Sequence, residues 1–275
     1  MRTESIPATG RAEPASDVRA QVLAELLPYI HACRNQLFVV DYACGSILDP
    51  VTWNSLGRHL ALLQLIGLRL IVVHRSSALN TRLVALLNRH GARAAGLSGV
   101  DDGMLQLRPA RLSLGRDAGL EAGAVNKALL DLYLDAGLLP VIRPIGVAPD
   151  GLACPTDGSQ LASALAMHLQ AKKLIVLGDS PPPMDREGRP AHRLSVSDAA
   201  SLAIIPAHIV DAMAAGIPAV HLLDIRHPET LLVELLTPFI GGTLILPDAA
   251  AGVLSQSEHY LAPVTEGDEH EDQSC

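Results

Sequence analysis

The sequence predicts an α/β fold built on a mainly parallel sheet with helices on both faces. Three observations carry this. Short apolar runs without polar alternation recur along the chain, as strands buried on both faces require. Stretches with helical spacing of apolar residues separate those runs. Of 275 residues, 49% are apolar and 18% charged, enough apolar mass for a core of that size.

Taken in order, residues 1–17 are rich in Pro, Ala, Ser and charge without periodicity, and are expected to form a mobile lead-in. In residues 18–35, Val18, Val22, Leu23, Leu26, Leu27 and Ile30 keep helical spacing, so an amphipathic helix with an apolar stripe precedes the main domain, 36–246. LFVVD (37–41) reads as the first buried strand, 51–66 as a helix, LRLIVVH (68–74) as a strand, 79–90 as a helix and ARAAGL (92–97) as a strand. Two alternating runs flanking Arg108-Pro109 read as a hairpin over 104–114. A helix over 126–136, a strand over 138–147, a turn at Asp150-Gly151, a helix over 158–171 and the strand KLIVLGD (173–179) follow. Helices near 196–203 and 206–215, a strand over 217–224, a helix over 228–236 and a strand over 242–246 complete the domain. The tail from 247 holds five acids within seven residues (266–272) and reads as a solvated arm. Without them the net charge of −8 becomes −3 (−8 + 5), so the acidic balance is largely terminal.

Composition excludes several classes of function. With 29 acidic against 21 basic residues and few aromatic rings, there is neither a basic stripe nor a stacking platform for nucleic acid. No apolar run is long enough to span a bilayer and the N-terminus lacks the apolar core of a secretory signal, so a cytoplasmic, membrane-free protein is expected. Cys33, Cys44, Cys154 and Cys275 form no C-x-x-C pair and read as small core or loop residues. His221 and His227 flank a strand end but read as surface or loop histidines, and no metal site is expected. Of the 21 basic residues only Lys127, Lys172 and Lys173 are lysines, leaving 18 arginines (21 − 3), and all three read as solvated.

Standard catalytic motifs are missing: no G-x-G-x-x-G, no P-loop, no H-E-x-x-H. Gly96-Leu97-Ser98-Gly99-Val100 fails as a nucleophile elbow because Val100 takes the second glycine position. In an open α/β sheet, ligands bind beyond the C-terminal strand ends. There the first strand leads into Asp41-Tyr42-Ala43-Cys44-Gly45-Ser46 and the second into His74-Arg75-Ser76-Ser77-Ala78, with one glycine between the two turns.

The ordered set RAQVLAELLPYI, VVDY, DPVTW, LLQLIGLRLIVVH, LVALLNRHGARAAGLSGVDDGML, VNKALLDLYLDAGLLPVIRPIGVAPDG, LASALAMHLQAKKLIVLGD, GIPAVHLLD and FIGGTLI resembles the amino-acid kinase family, and within it the acetylglutamate kinases, over nearly all of 18–246. The resemblance implies a three-layer αβα sandwich. It also implies MgATP-dependent phosphorylation of the side-chain carboxylate of N-acetylglutamate in arginine biosynthesis, and a dimer. The leading helix resembles the one that links dimers into rings in arginine-sensitive members, where that helix and the FIGGTLI region flank the arginine site.

The family's reactive positions are altered in this chain. Its Lys-Tyr-Gly-Gly appears as Asp41-Tyr42-Ala43-Cys44, and its His-Gly-Gly-Gly-Pro as His74-Arg75-Ser76-Ser77-Ala78. The stretch carrying the arginine for the substrate's α-carboxylate is deleted. Asn-x-Asn-Ala-Asp aligns with Pro155-Thr156-Asp157-Gly158-Ser159, and the second lysine falls on Ile205 or Ala207. Asp179 matches the acid beside the nucleotide site, while Ser98, Gly99, Asp101 and Gly103 keep a family turn.

Phosphoryl transfer needs positioned cations around the transferred group, so the expectation is a retained scaffold with lost chemistry. No catalytic residue is assigned. The altered pocket's candidate ligand contacts are Asp41, Gly45, His74, Arg75, Ser76, Asp157, Ser159 and Asp179. MgATP is a cofactor only if kinase activity is retained. The expected partners are copies of the chain, as a homodimer or larger homo-oligomer, and a partner enzyme of arginine metabolism. Two alternatives stay open: a small-molecule kinase or repurposed enzyme using the altered pocket, and an arginine-responsive oligomeric regulator.

Overall fold

The computed structural model describes residues 14–44, 48–76, 78–109, 120–185 and 188–251. Buried apolar runs give the strands their places: β1 (Leu37–Tyr42), β2 (Arg69–His74), β3 (Ala94–Ser98), β4 (Leu105–Pro109), β5 (Leu120–Val125), β6 (Leu139–Arg143), β7 (Ile145–Val147), β8 (Ala153–Pro155), β9 (Lys173–Gly178), β10 (Arg193–Ser195), β11 (Val220–Asp224) and β12 (Thr243–Leu246). Between them run α1 (Pro14–Cys33), α2 (Pro50–Leu65), α3 (Leu79–Arg89), α4 (Lys127–Asp135), α5 (Gly158–Leu169), α6 (Val196–Ser201), α7 (Ala207–Ala214), α8 (Thr230–Leu236) and α9 (Asp248–Ala251).

Four helix starts are set by short polar residues whose side chains accept the first unpaired amides. Asp49 accepts from Val51 and Thr52, with Pro50 at the first helical position. Asn126 accepts from Leu129, and Asp157 from Gln160. At α6, Ser195 and Asp198 cap each other, and Asp248 takes the Ser197 hydroxyl at 2.7 Å.

The main sheet has eight strands in the order β10-β12-β11-β9-β1-β2-β6-β3, parallel throughout except where β12 runs against β11. Successive side chains of a strand point to opposite faces, and the core divides accordingly. Phe38, Val40, Tyr42, Leu70, Val72, Ile175, Leu177 and Leu223 pack with α1, α2, α3 and α8. Val39, Ile71, Val73, Leu174 and Val220 pack with α4, α5 and α7 on the other face. The layered α/β architecture expected from the sequence is therefore present.

Several local expectations change. The helix expected from residue 18 begins at Pro14, and residues 1–13 of the lead-in lie outside the described residues. The run 138–147 is two strands. Pro144, which has no N–H to give to a ladder, separates β6 in the main sheet from β7 in a second sheet of order β5-β4-β7-β8. Arg108-Pro109 lies within β4, whose antiparallel partner is β5, with Arg108 opposite Glu121. Residues 110–114 of the expected hairpin lie outside the described residues, as do the acids of the tail. Among the described residues, no helix is long and apolar enough to cross a membrane.

Candidate functional site

The parallel strands β1, β2, β9 and β11 end at one edge: Tyr42 pairs with His74 and Leu177, and Asp224 with Gly178. Beyond that edge lies a cavity of about 650 Å³. Helix α5 enters it with its N-terminus, because Gly158 lets the helix press onto the end of β2. A Cβ there would stand 2.8 Å from the His74 carbonyl oxygen, a backbone atom that cannot yield. Helix α7 begins on the opposite wall with Pro206 and His208.

Of the eight candidate contacts, the structure brings five to this cavity: Asp41, Arg75, Asp157, Ser159 and Asp179. His74 is not among them. It alternates with Leu70 and Val72 onto the α2/α3 face, is fully buried, and its Nε2 accepts from Asn80 at 3.1 Å, while Asn80 also donates to the Val141 carbonyl at 2.8 Å. Burial holds His74 neutral, its pKa lowered to about 4. The Ser76 carbonyl accepts from Leu79 to start α3, and Gly45 lies outside the described residues.

Asp41 alternates with Val40 and Tyr42, so it faces α5 at the floor of the cavity. It is 2% exposed, and its Oδ1 has no hydrogen-bond partner among the described residues. Burial raises its pKa to about 6. The neighbouring Asp157 acts in the same direction, against a hydrogen bond from Ser159 and the charge of Arg75. Arg75 does not reach over Asp41. Its guanidinium donates to the Ala43 carbonyl at 3.3 Å and pairs with Asp157 at 3.5 Å. Asp224 is held by Arg226 at 2.6 Å, and the Cys44 thiol donates to Asp179 at 3.7 Å. Burial also lowers the pKa of His208, against the charges of Asp157 and Asp211.

Residues 34–219 match the amino acid kinase family. The chain belongs to that family. An acetylglutamate kinase of Campylobacter curvus is 30% identical across 82% of this chain and 97% of its own length. Among solved structures, N-acetylglutamate synthase from Neisseria gonorrhoeae with coenzyme A and N-acetylglutamate superposes with a TM-score of 0.72 at 24% identity, over 83% of this chain. The same synthase with coenzyme A and L-arginine gives 0.68 at 26% identity over 82%. The chain spans only 63–65% of that synthase's length.

Within this amino acid kinase scaffold, no lysine lines the strand-end cavity. Lys127 and Lys172 are exposed, as expected. Lys173 is not: it is 5% exposed, lies over the Phe38 ring at 5.8 Å, and occupies the α1/α8 face of the sheet. His221, expected at the surface, is buried on the same face, where its Nδ1 lies 2.7 Å from Glu234 Oε1. Burial and the Lys173 charge lower the His221 pKa to about 4, so a neutral imidazole donates to the carboxylate. Burial pushes Glu234 up, but the His221 bond and the Gly241 and Gly242 amides outweigh it, and the carboxylate stays below its ordinary range. These groups line a second, small cavity with Tyr29 of α1 and Phe239. Glu234 itself was beyond sequence reasoning, since it reads as one polar residue on an amphipathic helix.

The family turn at Ser98–Gly103 shapes backbone. Asp101 accepts from the Ser98 amide at 2.7 Å, and Asp102 sits at φ 48°. Among the described residues, no three His, Cys, Asp or Glu side chains group as a metal site would require.

Proposed function

We propose that this chain is an acetylglutamate kinase-like protein that binds or regulates and does not transfer phosphate. One observation carries the reading. Where transfer between two anions needs cations, the cavity floor presents the buried carboxylate Asp41, and the nearest cation, Arg75, is engaged by Asp157 and the Ala43 carbonyl. At the N-terminus of α5, Asp157 accepts from the Gln160 amide and sets a further carboxylate beside the site. Each preorganised donor removed from such a site costs about 2.7–4 kcal/mol of transition-state stabilisation. Two together lower the rate roughly 10⁴–10⁶-fold, before the repulsion from Asp41. A coupled assay with MgATP and N-acetylglutamate is expected to show no substrate-dependent ADP release. Turnover that Arg75→Ala abolishes would overturn the reading.

A second reading, an arginine-responsive oligomer, is favoured by the small cavity. Glu234, Lys173 and Tyr29 meet there at the base of α1, while Val22, Leu23 and Leu27 of that helix are 49–65% exposed. The leading helix then serves as a linker between copies, and the role belongs to N-acetylglutamate and arginine metabolism. Millimolar L-arginine is expected to raise the melting temperature of the wild type but not of Glu234→Gln, and Leu23→Glu with Leu27→Glu is expected to lower the mass in solution by light scattering. No arginine shift together with an unchanged mass would sink this reading.

A further inference from the structure

We infer that the strand-end cavity is a binding site for a small organic dication, a diamine or amino-guanidine without a carboxylate. The inference rests on the non-catalytic reading above and names the ligand class that the altered pocket selects.

Four carboxylates line the cavity, Asp41, Asp157, Asp179 and Asp224, against one permanent cation, Arg75. Two of the four already have partners: Asp157 pairs with Arg75 and Asp224 with Arg226. Neither Asp41 nor Asp179 forms an ion pair among the described residues; Asp179 accepts from the weak thiol donor of Cys44 and feels the charge of Arg226, which is held by Asp224. The decisive group is Asp41, almost wholly buried on the cavity floor with one oxygen unpartnered. A buried polar atom without a partner is costly, and a charged one more so, so a fold that keeps it leaves room for a ligand to complete it. A polyanion such as a nucleotide triphosphate meets repulsion there. An ammonium or guanidinium group meets a charge-assisted hydrogen bond.

The spacing argues for two positive ends. Asp41 lies opposite Val176 in the β1/β9 register, and Asp179 follows three residues later. At about 3.3 Å per residue, the two backbone positions are on the order of 10 Å apart along the sheet, the reach of a four-carbon diamine or amino-guanidine together with a hydrogen bond at each end. Between them the wall is apolar, with Val176, Ile204, Ile209 and Leu222, which suits a methylene chain. An α-carboxylate on the ligand would face Asp157 or Asp224, so amino acids are selected against. The small cavity beside Glu234 lies on the other face of the sheet, and the Gly241-Gly242 turn held by Glu234 borders the strand-end cavity.

The test is titration calorimetry on the full chain with agmatine and putrescine as probes, and MgATP and L-arginine as controls. Agmatine is expected to bind the wild type, and to bind at least tenfold more weakly to Asp41→Asn and severalfold more weakly to Asp179→Asn. Lys127→Ala, an exposed position away from the cavity, is expected to leave agmatine binding unchanged. Both Asp variants keep side-chain volume, and circular dichroism melting establishes that they fold. Absence of binding by both amines, or agmatine affinity unchanged in Asp41→Asn, would overturn the inference. The coupled kinase assay on the same preparation separates the two levels. Turnover without amine binding removes the non-catalytic reading along with the inference, whereas neither turnover nor amine binding removes the inference alone.

Discussion

Glu234→Ala is expected to lose about 3–5 kcal/mol of unfolding free energy, the scale for removing one partner of a buried charged group. Three dependencies converge on this carboxylate. It accepts from His221 at 2.7 Å, and from the amides of Gly241 at 2.7 Å and Gly242 at 3.3 Å. It is also the carboxylate facing Lys173, an ammonium that burial already pushes below its ordinary pKa. Truncation therefore leaves a buried cation without its counter-charge and two amides without an acceptor. The Gly241-Gly242 turn has no freedom to compensate, since a Cβ on Gly242 would stand 2.4 Å from the Leu222 carbonyl and the backbone is already in close contact. Urea denaturation followed by circular dichroism measures the loss. A change below about 1 kcal/mol, the value of an exposed pair, would mean that Lys173 reaches solvent.

Asp41→Asn is expected to act in the opposite direction, raising stability at pH 7 by about 1–3 kcal/mol. The folded-state pKa is about 6, above the ordinary 3.8, so the folded chain holds a proton that the unfolded chain releases. For this sign, the group's contribution to stability is full below the ordinary pKa and is lost as pH rises through about 6. A shift of about two units corresponds to roughly 3 kcal/mol, which sets the upper end. Ser159 of α5, Asp157 at its cap and Arg75 after β2 are the groups that act on Asp41, and none of them forms an ion pair with it. The stability difference between variant and wild type should be near zero at pH 4 and reach a plateau by pH 7. A difference that stays flat across this range would show that Asp41 keeps an ordinary pKa in the folded chain.

Much of this was readable from the sequence because the main strands are continuous apolar runs. LFVVD, LRLIVVH and KLIVLGD each declared a strand, and their ends placed Asp41 and Asp179 at one sheet edge. Three-residue strands such as β8 and β10 carry no period to read. The break at Pro144 was visible in composition, but the second sheet that receives β7 depends on β4 and β8 meeting in space. His74 shows a subtler failure. It occupies the right strand end, yet alternation turns it away from the cavity that its neighbour Arg75 lines. Lys173 and His221 depart from the sequence expectation for a different reason. A polar residue opening a strand is usually solvated, and only the packing of α1 and α8 over that face covers them.

The alternation of β1, β9 and β11 makes the sheet a partition between two charged compartments. Asp41 and Asp224 serve one, Lys173 and His221 the other, although Lys173 and Leu174 are adjacent in the chain and face opposite ways. Such an arrangement is separable: a sequence can rewrite the chemistry of one compartment by changes at every second position while the other keeps its lining. The carboxylate Asp41 can thus coexist with the cluster of Lys173, His221 and Glu234 on the other face of the sheet. One insertion or deletion within these strands would exchange the contents of both compartments at once, so substitutions are open to this scaffold where length changes are not.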